Sequence, residues 1–197
     1  MTNEEELTWW KVLFLHEAGH CIASIVRYKS YHAITAQNDP TDLQSPCKAS
    51  YQNKGSWLDM ESRPEDYLIL MCGGAAAERL VLEKESLGFA GDKAKFYKLL
   101  PAVSQRDEQK GAALKQLADD EIGSKFPRTI GILRQQRKAL EAVADAALAA
   151  FLKMGLIGKE FGQTVILSPD DVKQLFEANF VEPHKEQAPA GSESPPS

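Results

Sequence analysis

Residues 7–25 constrain the fold most, because their apolar side chains recur at intervals of three and four. This spacing places the apolar side chains on one side of an α-helix and predicts a largely buried helix over residues 4–27. Three glutamates at positions 4–6 favour a helix start there, with Thr2 or Asn3 as the cap. The apolar stripe consists of Leu7, Trp10, Phe14, Ala18, Cys21, Ile22 and Ile25.

Two histidines, His16 and His20, lie within this helix with the sequence Glu-Ala-Gly between them. Residues four apart project from nearly the same face of a helix, about 6 Å apart along its axis. Two imidazoles at this spacing can bind one zinc ion, and Glu17 beside them can act as a base towards water on the open side of the metal. The alternative is a helix whose histidines are exposed or form ordinary hydrogen bonds. Because histidines beside a buried stripe need partners, the pattern favours a zinc site that still lacks its third ligand.

Asp92 is the candidate for that third ligand. It follows a loop marked by Gly88 and Gly91 and stands where a helix is predicted over residues 92–100. An aspartate at a helix start is a good N-cap and needs no metal to explain it. The same aspartate could instead be a carboxylate ligand that the helix start delivers to the two histidines. The sequence pattern does not choose between these two interpretations.

A second long helix is predicted over residues 63–82, because Pro64 suits a first helical turn. Two adjacent glycines inside it, Gly73 and Gly74, cost a helix about 1 kcal/mol each relative to alanine. Their presence predicts that another backbone packs closely there, and the histidine helix is the obvious candidate. Glu78 follows on the same helix and has two interpretations, a carboxylate that orients a ligand histidine or an exposed acid beside Arg79.

Further helices are predicted over residues 104–120, 127–154 and 169–180, and a short strand over residues 164–167. Residues 31–36 and 47–52 flank a turn-rich link and predict a small β-hairpin, with a surface loop as the alternative. If the hairpin lies beside the zinc site, its exposed edge could bind an extended peptide as an additional strand. The predicted fold class is therefore mainly α, with a small β-hairpin near the site.

Composition excludes several classes of function. The formal net charge is −5 and no Lys/Arg stripe is present, which argues against nucleic acid and anionic membrane surfaces as partners. The apolar runs are shorter than the roughly 20 residues that a membrane-spanning helix needs. The acidic N-terminus does not resemble a secretory signal. Three cysteines without a CxxC pattern favour a reducing compartment, so we predict a cytoplasmic protein in which Cys21 faces the core.

Three segments together resemble the peptidase domain of the FtsH-type zinc metalloproteases, peptidase family M41. They are His-Glu-Ala-Gly-His at 16–20, the Gly-Gly-x-x-Ala-Glu segment at 73–78 and the Gly-x-x-x-Asp loop at 88–92. The resemblance implies that His16, His20 and Asp92 bind zinc, that Glu17 is the general base and that Glu78 lies close to the site. It extends faintly to the predicted hairpin and, in the C-terminal half, to the closing helices, and covers about residues 7–180.

The chain also departs from this family. It has no G-x-x-x-x-G-K-[ST] loop for nucleotide phosphates, Ala75 replaces the usual arginine after the glycine pair, and residues 98–128 look rearranged. We therefore predict a free-standing peptidase-like domain over residues 1–181, followed by a disordered tail over 182–197. His184 falls in that tail and is a poor ligand candidate, whereas His32 is predicted to be structural or exposed.

Two functions follow as expectations. The first is a zinc-dependent endopeptidase that cleaves unfolded or flexible polypeptides, with an ATPase partner in trans if substrates must be unfolded. The second is a catalytically silent, zinc-stabilised protein that binds peptides or supports assembly. Glu17 favours the enzyme, because a purely structural site needs no base and usually closes its fourth position with a protein ligand. The lack of an ATPase module favours the alternative, and the oligomeric state is not determined.

Overall fold

The computed structural model describes residues 2–38, 47–51, 62–83, 89–98 and 100–182, with residues 47–51 described by their backbone alone. The described chain is mainly helical, as predicted. Its helices are α1 (Asn3–Tyr28), α2 (Pro64–Leu82), α3 (Phe89–Tyr97), α4 (Leu100–Arg106), α5 (Glu108–Gly123), α6 (Pro127–Gln135), α7 (Arg137–Lys153) and α8 (Pro169–Asn179).

A small antiparallel sheet accompanies the helices, with the strand order β2-β1-β3. The predicted hairpin is confirmed as β1 (Ile34–Asn38) and β2 (Cys47–Tyr51), paired from Ile34 with Tyr51 to Asn38 with Cys47. The predicted strand near the C-terminus is β3 (Phe161–Leu167), which begins earlier than expected and pairs with the other side of β1. The sequence did not reveal this pairing, because strand partners far apart in the chain leave no local periodicity.

Helices α1 and α2 pack backbone against backbone at Gly19 and Gly73. A Cβ atom added at Gly19 would lie 2.3 Å from the carbonyl oxygen of Gly73, and one at Gly73 would lie 2.7 Å from the carbonyl oxygen of Gly19. No side chain larger than hydrogen fits either position at this separation. The prediction that the glycine pair receives the histidine helix is therefore confirmed for Gly73.

Two apolar cores flank this helix pair. One lies between α1, α7, α8 and the sheet, and its aromatic centre is formed by Trp10, Phe14 and Phe151, with Trp10 and Phe151 ring centroids 4.5 Å apart. The other packs the apolar residues 67–72 of α2 against Phe96 of α3 and Leu114 of α5. Because α1 contributes to both cores, every residue from 14 to 25 of this helix is buried, whichever way its side chain points.

Both long helices begin close to the predicted positions. Thr2 is the N-cap of α1, and its hydroxyl accepts the backbone N–H of Glu5 while the Glu5 carboxylate accepts the backbone N–H of Thr2. Pro64 occupies the first turn of α2. The same reciprocal cap joins Ser168 and Asp171 at the start of α8.

Two predicted helices are each divided in two. The helix predicted over 104–120 is broken at Asp107, whose carboxylate accepts the backbone N–H of Lys110 and so starts a new helix. The helix predicted over 127–154 is broken at Gln136, whose backbone leaves helical geometry. Its buried side-chain amide donates to the carbonyl of Val181 and accepts the Val181 N–H, so the end of the described chain is tied to this break.

Some predicted features lie outside the described residues. They are most of the turn-rich link after Asn38, Gln52, the loop before α3 up to Gly88, and residues 183–197 with the predicted tail and His184. Within the described ranges, no helix is both long and apolar enough to cross a membrane.

Replacing Gly73 by alanine should destabilise the fold. The new methyl group meets the Gly19 backbone at 2.7 Å, and backbone cannot rotate away, so α1 and α2 must separate. We expect a loss of more than about 2 kcal/mol in the free energy of unfolding, measured by urea denaturation.

The matched control is Gly131→Ala in α6. Among the described residues, no heavy atom lies within 4 Å of a Cβ at this position. Alanine should stabilise α6 there by up to about 1 kcal/mol through helix propensity. Equal unfolding free energies for the two variants would contradict the close-packing argument.

Candidate metal centre

Three side chains from two helices converge on one point. The Nε2 atoms of His16 and His20 lie 3.1 Å apart, and the Oδ2 atom of Asp92 lies 3.0 Å from the first and 3.1 Å from the second. All three residues are buried. A tetrahedral zinc ion with ligands at about 2.0 Å separates its ligand atoms by about 3.3 Å. The triangle therefore has the dimensions of three ligands around one small metal ion.

The outward-facing nitrogens of both histidines are already bonded to α2. Nδ1 of His20 lies 2.7 Å from the carbonyl oxygen of Leu70, and Nδ1 of His16 lies 2.5 Å from Oε1 of Glu78. A carbonyl or carboxylate oxygen accepts, so each Nδ1 carries the hydrogen and donates it. In a neutral imidazole the other nitrogen, Nε2, then presents a bare lone pair.

Two lone pairs and a carboxylate oxygen facing one another repel unless a cation lies between them. A proton on Nε2 of His16 can serve as that cation. Burial opposes the charged imidazolium, but the hydrogen bonds to Asp92 and Glu78 and the nearby charge of Glu17 raise the pKa of His16 to about 10. Burial likewise opposes the Asp92 carboxylate, yet its bonds to both histidines hold its pKa well below the usual range. A divalent metal ion at the same position would satisfy all three groups together.

Gly74 makes room for the ring of His16. A Cβ atom at this position would lie 2.3 Å from Nε2 and 2.4 Å from Cδ2 and Cε1 of the imidazole. The two glycines of α2 therefore serve different purposes, since Gly73 receives the α1 backbone whereas Gly74 receives the histidine side chain. Backbone packing was predicted for both glycines, and this prediction is wrong for Gly74.

Asp92 does not cap a helix. Helix α3 begins at Phe89, three residues before the predicted start, so Asp92 lies inside its first turn rather than ahead of it. Its carboxylate is turned towards the histidines, and its second oxygen, Oδ1, accepts from Lys95 Nζ at 2.8 Å. The N-cap interpretation is therefore wrong, and the side-chain position agrees with the ligand interpretation.

Glu78 is buried and bonded to His16, which resolves the two interpretations of this residue in favour of orienting a histidine. The exposed-acid alternative is wrong. Glu17 is also buried, one residue after His16, and its charge acts on His16. The structure thus brings His16, His20, Asp92 and Glu78 together, and Glu17 is buried next to His16 in the chain.

The remaining candidates take no part in the triangle. His32 is buried and bonded through Nε2 to the hydroxyl of Ser24 at 2.9 Å, which agrees with a structural role. Cys21 faces the core, as predicted, and burial raises the pKa of its thiol. Cys72 is buried in the second core, and burial likewise raises its pKa.

Sequence reasoning missed three contributors to the site. The Leu70 carbonyl could not be found, because a backbone acceptor carries no residue signature. The role of Gly74 against His16 had a signal, namely two adjacent glycines where one suffices for a helix crossing. Lys95 had a weaker signal, since it lies one helical turn after the candidate ligand.

No protein-family model matches the chain, and no curated protein matches it. The resemblance to the FtsH-type metalloproteases therefore stays a prediction from three motifs.

Replacing Glu78 by alanine should weaken zinc binding while leaving all three proposed ligands in place. The Nδ1–H group of His16 then loses its buried acceptor, so the ring is free to turn and its Nε2 becomes less basic. We expect about 10- to 100-fold lower zinc affinity, measured by competition with a chromophoric chelator.

Glu141→Ala is the control, because it removes an exposed carboxylate paired with Arg137 on α7, remote in sequence from the ligands. Its zinc affinity should equal that of the unmodified protein. Unchanged affinity in Glu78→Ala would show that the His16–Glu78 contact does not tune a metal ligand.

Proposed function

We propose that this protein is a zinc-dependent peptidase that hydrolyses peptide bonds in unfolded or flexible polypeptides. The observation that carries the proposal is the converging triangle of His16, His20 and Asp92, in which Nδ1 of each histidine is hydrogen-bonded to α2 and Nε2 of each faces Oδ2 of Asp92. Two nitrogens and one carboxylate oxygen form a ligand set typical of catalytic zinc, which keeps a position for water or substrate.

Zinc rather than a harder cation suits this site. Imidazole nitrogen binds zinc well, whereas calcium and magnesium prefer oxygen ligands in larger number. With three protein ligands, the site would use the fourth position for chemistry instead of closing it with a further side chain.

A zinc ion bound here would lower the pKa of a water molecule and polarise the scissile carbonyl. The chain supplies the remaining groups. Glu17 takes the proton of the attacking water and delivers it to the departing amine. Glu78 and the Leu70 carbonyl hold the two imidazoles in the tautomer that presents Nε2, and α1 and α2 keep bulk water away from the ligands.

The arrangement of the fold supports the proposed substrate class. The β1–β2 hairpin lies against α1, the helix that carries the histidines and Glu17, so an extended polypeptide that pairs with a sheet edge could reach the base. Folded substrates would need a separate unfolding activity, and we include an ATPase partner acting in trans in the proposal. The free cysteines Cys21 and Cys72 suit a reducing compartment, and we propose the cytoplasm.

The test is cleavage of an unstructured protein, such as casein, by the zinc-loaded protein and by Glu17→Gln. Glutamine keeps the size of the side chain but cannot accept the proton. We expect zinc content to be retained and cleavage to fall by at least about 100-fold, in line with the loss of a general base.

Glu83→Gln is the matched control, because it makes the same chemical change at an exposed residue just after α2 and should cleave normally. Retained zinc with no cleavage by the unmodified protein would refute the enzyme and favour the catalytically silent, zinc-stabilised alternative.

Asp92→Ala tests the ligand assignment independently of activity. Removal of the carboxylate leaves two histidines, which hold zinc far more weakly than three ligands do, so the purified variant should contain little zinc by elemental analysis. A variant as rich in zinc as the unmodified protein would exclude Asp92 as a ligand.

A further inference from the structure

The two oxygens of Asp92 are used differently. Oδ2 lies at the triangle, 3.0 Å from His16 Nε2 and 3.1 Å from His20 Nε2. Oδ1 accepts a hydrogen bond from Nζ of Lys95 at 2.8 Å. The carboxylate therefore presents one oxygen to the candidate metal position and the other to an ammonium group.

This division matters because a carboxylate can bind a metal through one oxygen or through both. Two oxygens from Asp92 together with two imidazoles would fill four positions before water or substrate is counted. One oxygen leaves a tetrahedral site with a position for chemistry. The orientation of a ligating carboxylate is commonly fixed by the hydrogen bonds that its other oxygen accepts.

We propose that Lys95 is a positioning residue that holds Asp92 to single-oxygen coordination and so preserves the open position of the metal site. This role rests on the proposed zinc site. Lys95 lies three residues after Asp92 on α3, where one helical turn brings the two side chains together. The ammonium attracts Oδ1 electrostatically and donates a hydrogen bond to it, so rotation of Oδ1 towards the metal would break both interactions.

The exposure of Lys95 allows its effect on the metal geometry to be distinguished from an effect on folding stability. Its side chain is 59% exposed whereas that of Asp92 is 7% exposed, so the pair joins a buried ligand to a solvated cation. Because the Lys95 side chain is mostly in solvent, water screens its attraction to Asp92 and reduces what the pair adds to folding stability. Loss of Lys95 should therefore leave the unfolding midpoint almost unchanged while it alters the geometry around the metal.

The visible absorption spectrum of bound cobalt(II) reports the number of ligands around the metal. Four-coordinate cobalt(II) absorbs visible light more strongly than five-coordinate cobalt(II), and the full chain can be loaded with the metal alone, without substrate. The variants are Lys95→Met, which keeps the length of the side chain without its charge, and Lys95→Arg, which keeps a cationic donor. Lys98→Met is the matched control, because it removes the same charge from an exposed residue just beyond α3, where the structure shows a backbone hydrogen bond to Ala94.

We expect the intense four-coordinate spectrum from the unmodified protein, Lys98→Met and Lys95→Arg, and a weaker, shifted five-coordinate spectrum from Lys95→Met. The four metal-free proteins should unfold at nearly the same temperature. A Lys95→Met spectrum identical to that of the unmodified protein would overturn the role of Lys95 and leave the metal site standing. Absence of cobalt binding by the unmodified protein would overturn the metal site and this role with it.

Discussion

The contact between Gly19 and Gly73 is the constraint on which the rest of the site depends. Only because the α1 and α2 backbones touch there can the acceptors on α2 reach the histidines on α1. One of these acceptors is the Leu70 carbonyl, a backbone group that cannot reach further by a side-chain rotation. Its 2.7 Å hydrogen bond to His20 therefore requires this helix separation. A wider crossing would leave the inner face of α1 with two buried imidazoles and no fixed tautomer.

The polarity of the site follows from that geometry. Helix α2 supplies acceptors behind the histidines, and α3 supplies an acceptor in front of them, so hydrogen-bond donors are on the outside and lone pairs are on the inside. Such an arrangement is electrostatically unfavourable when empty and favourable around a cation. The hydrogen bonds of His16 to Asp92 and Glu78 raise its pKa, so a proton on this imidazole can take the place of that cation. A metal ion bound there would have to displace this proton, so its affinity would depend on pH.

The two histidines are not equivalent. His16 donates to a carboxylate, whereas His20 donates to a neutral carbonyl, so the first imidazole has the more electron-rich Nε2. Asp92 in turn divides its oxygens between the triangle and Lys95. The three side chains thus have partners of different charge: a neutral carbonyl for His20, a carboxylate for His16 and an ammonium group for Asp92.

The sequence by itself determined the features that depend on neighbours in the chain. The period of the apolar residues located α1, and the spacing of His16 and His20 placed both rings on one face of it. The adjacent glycines indicated that another helix approaches α2 closely. Tertiary structure alone decided that Asp92 points at the histidines, that Glu78 rather than solvent meets His16, and that β3 completes the sheet. These contacts join residues 76, 62 and more than 100 positions apart. Helix periodicity is a local property and carries no information across such separations, which only the packing of α2 against both α1 and α3 supplies.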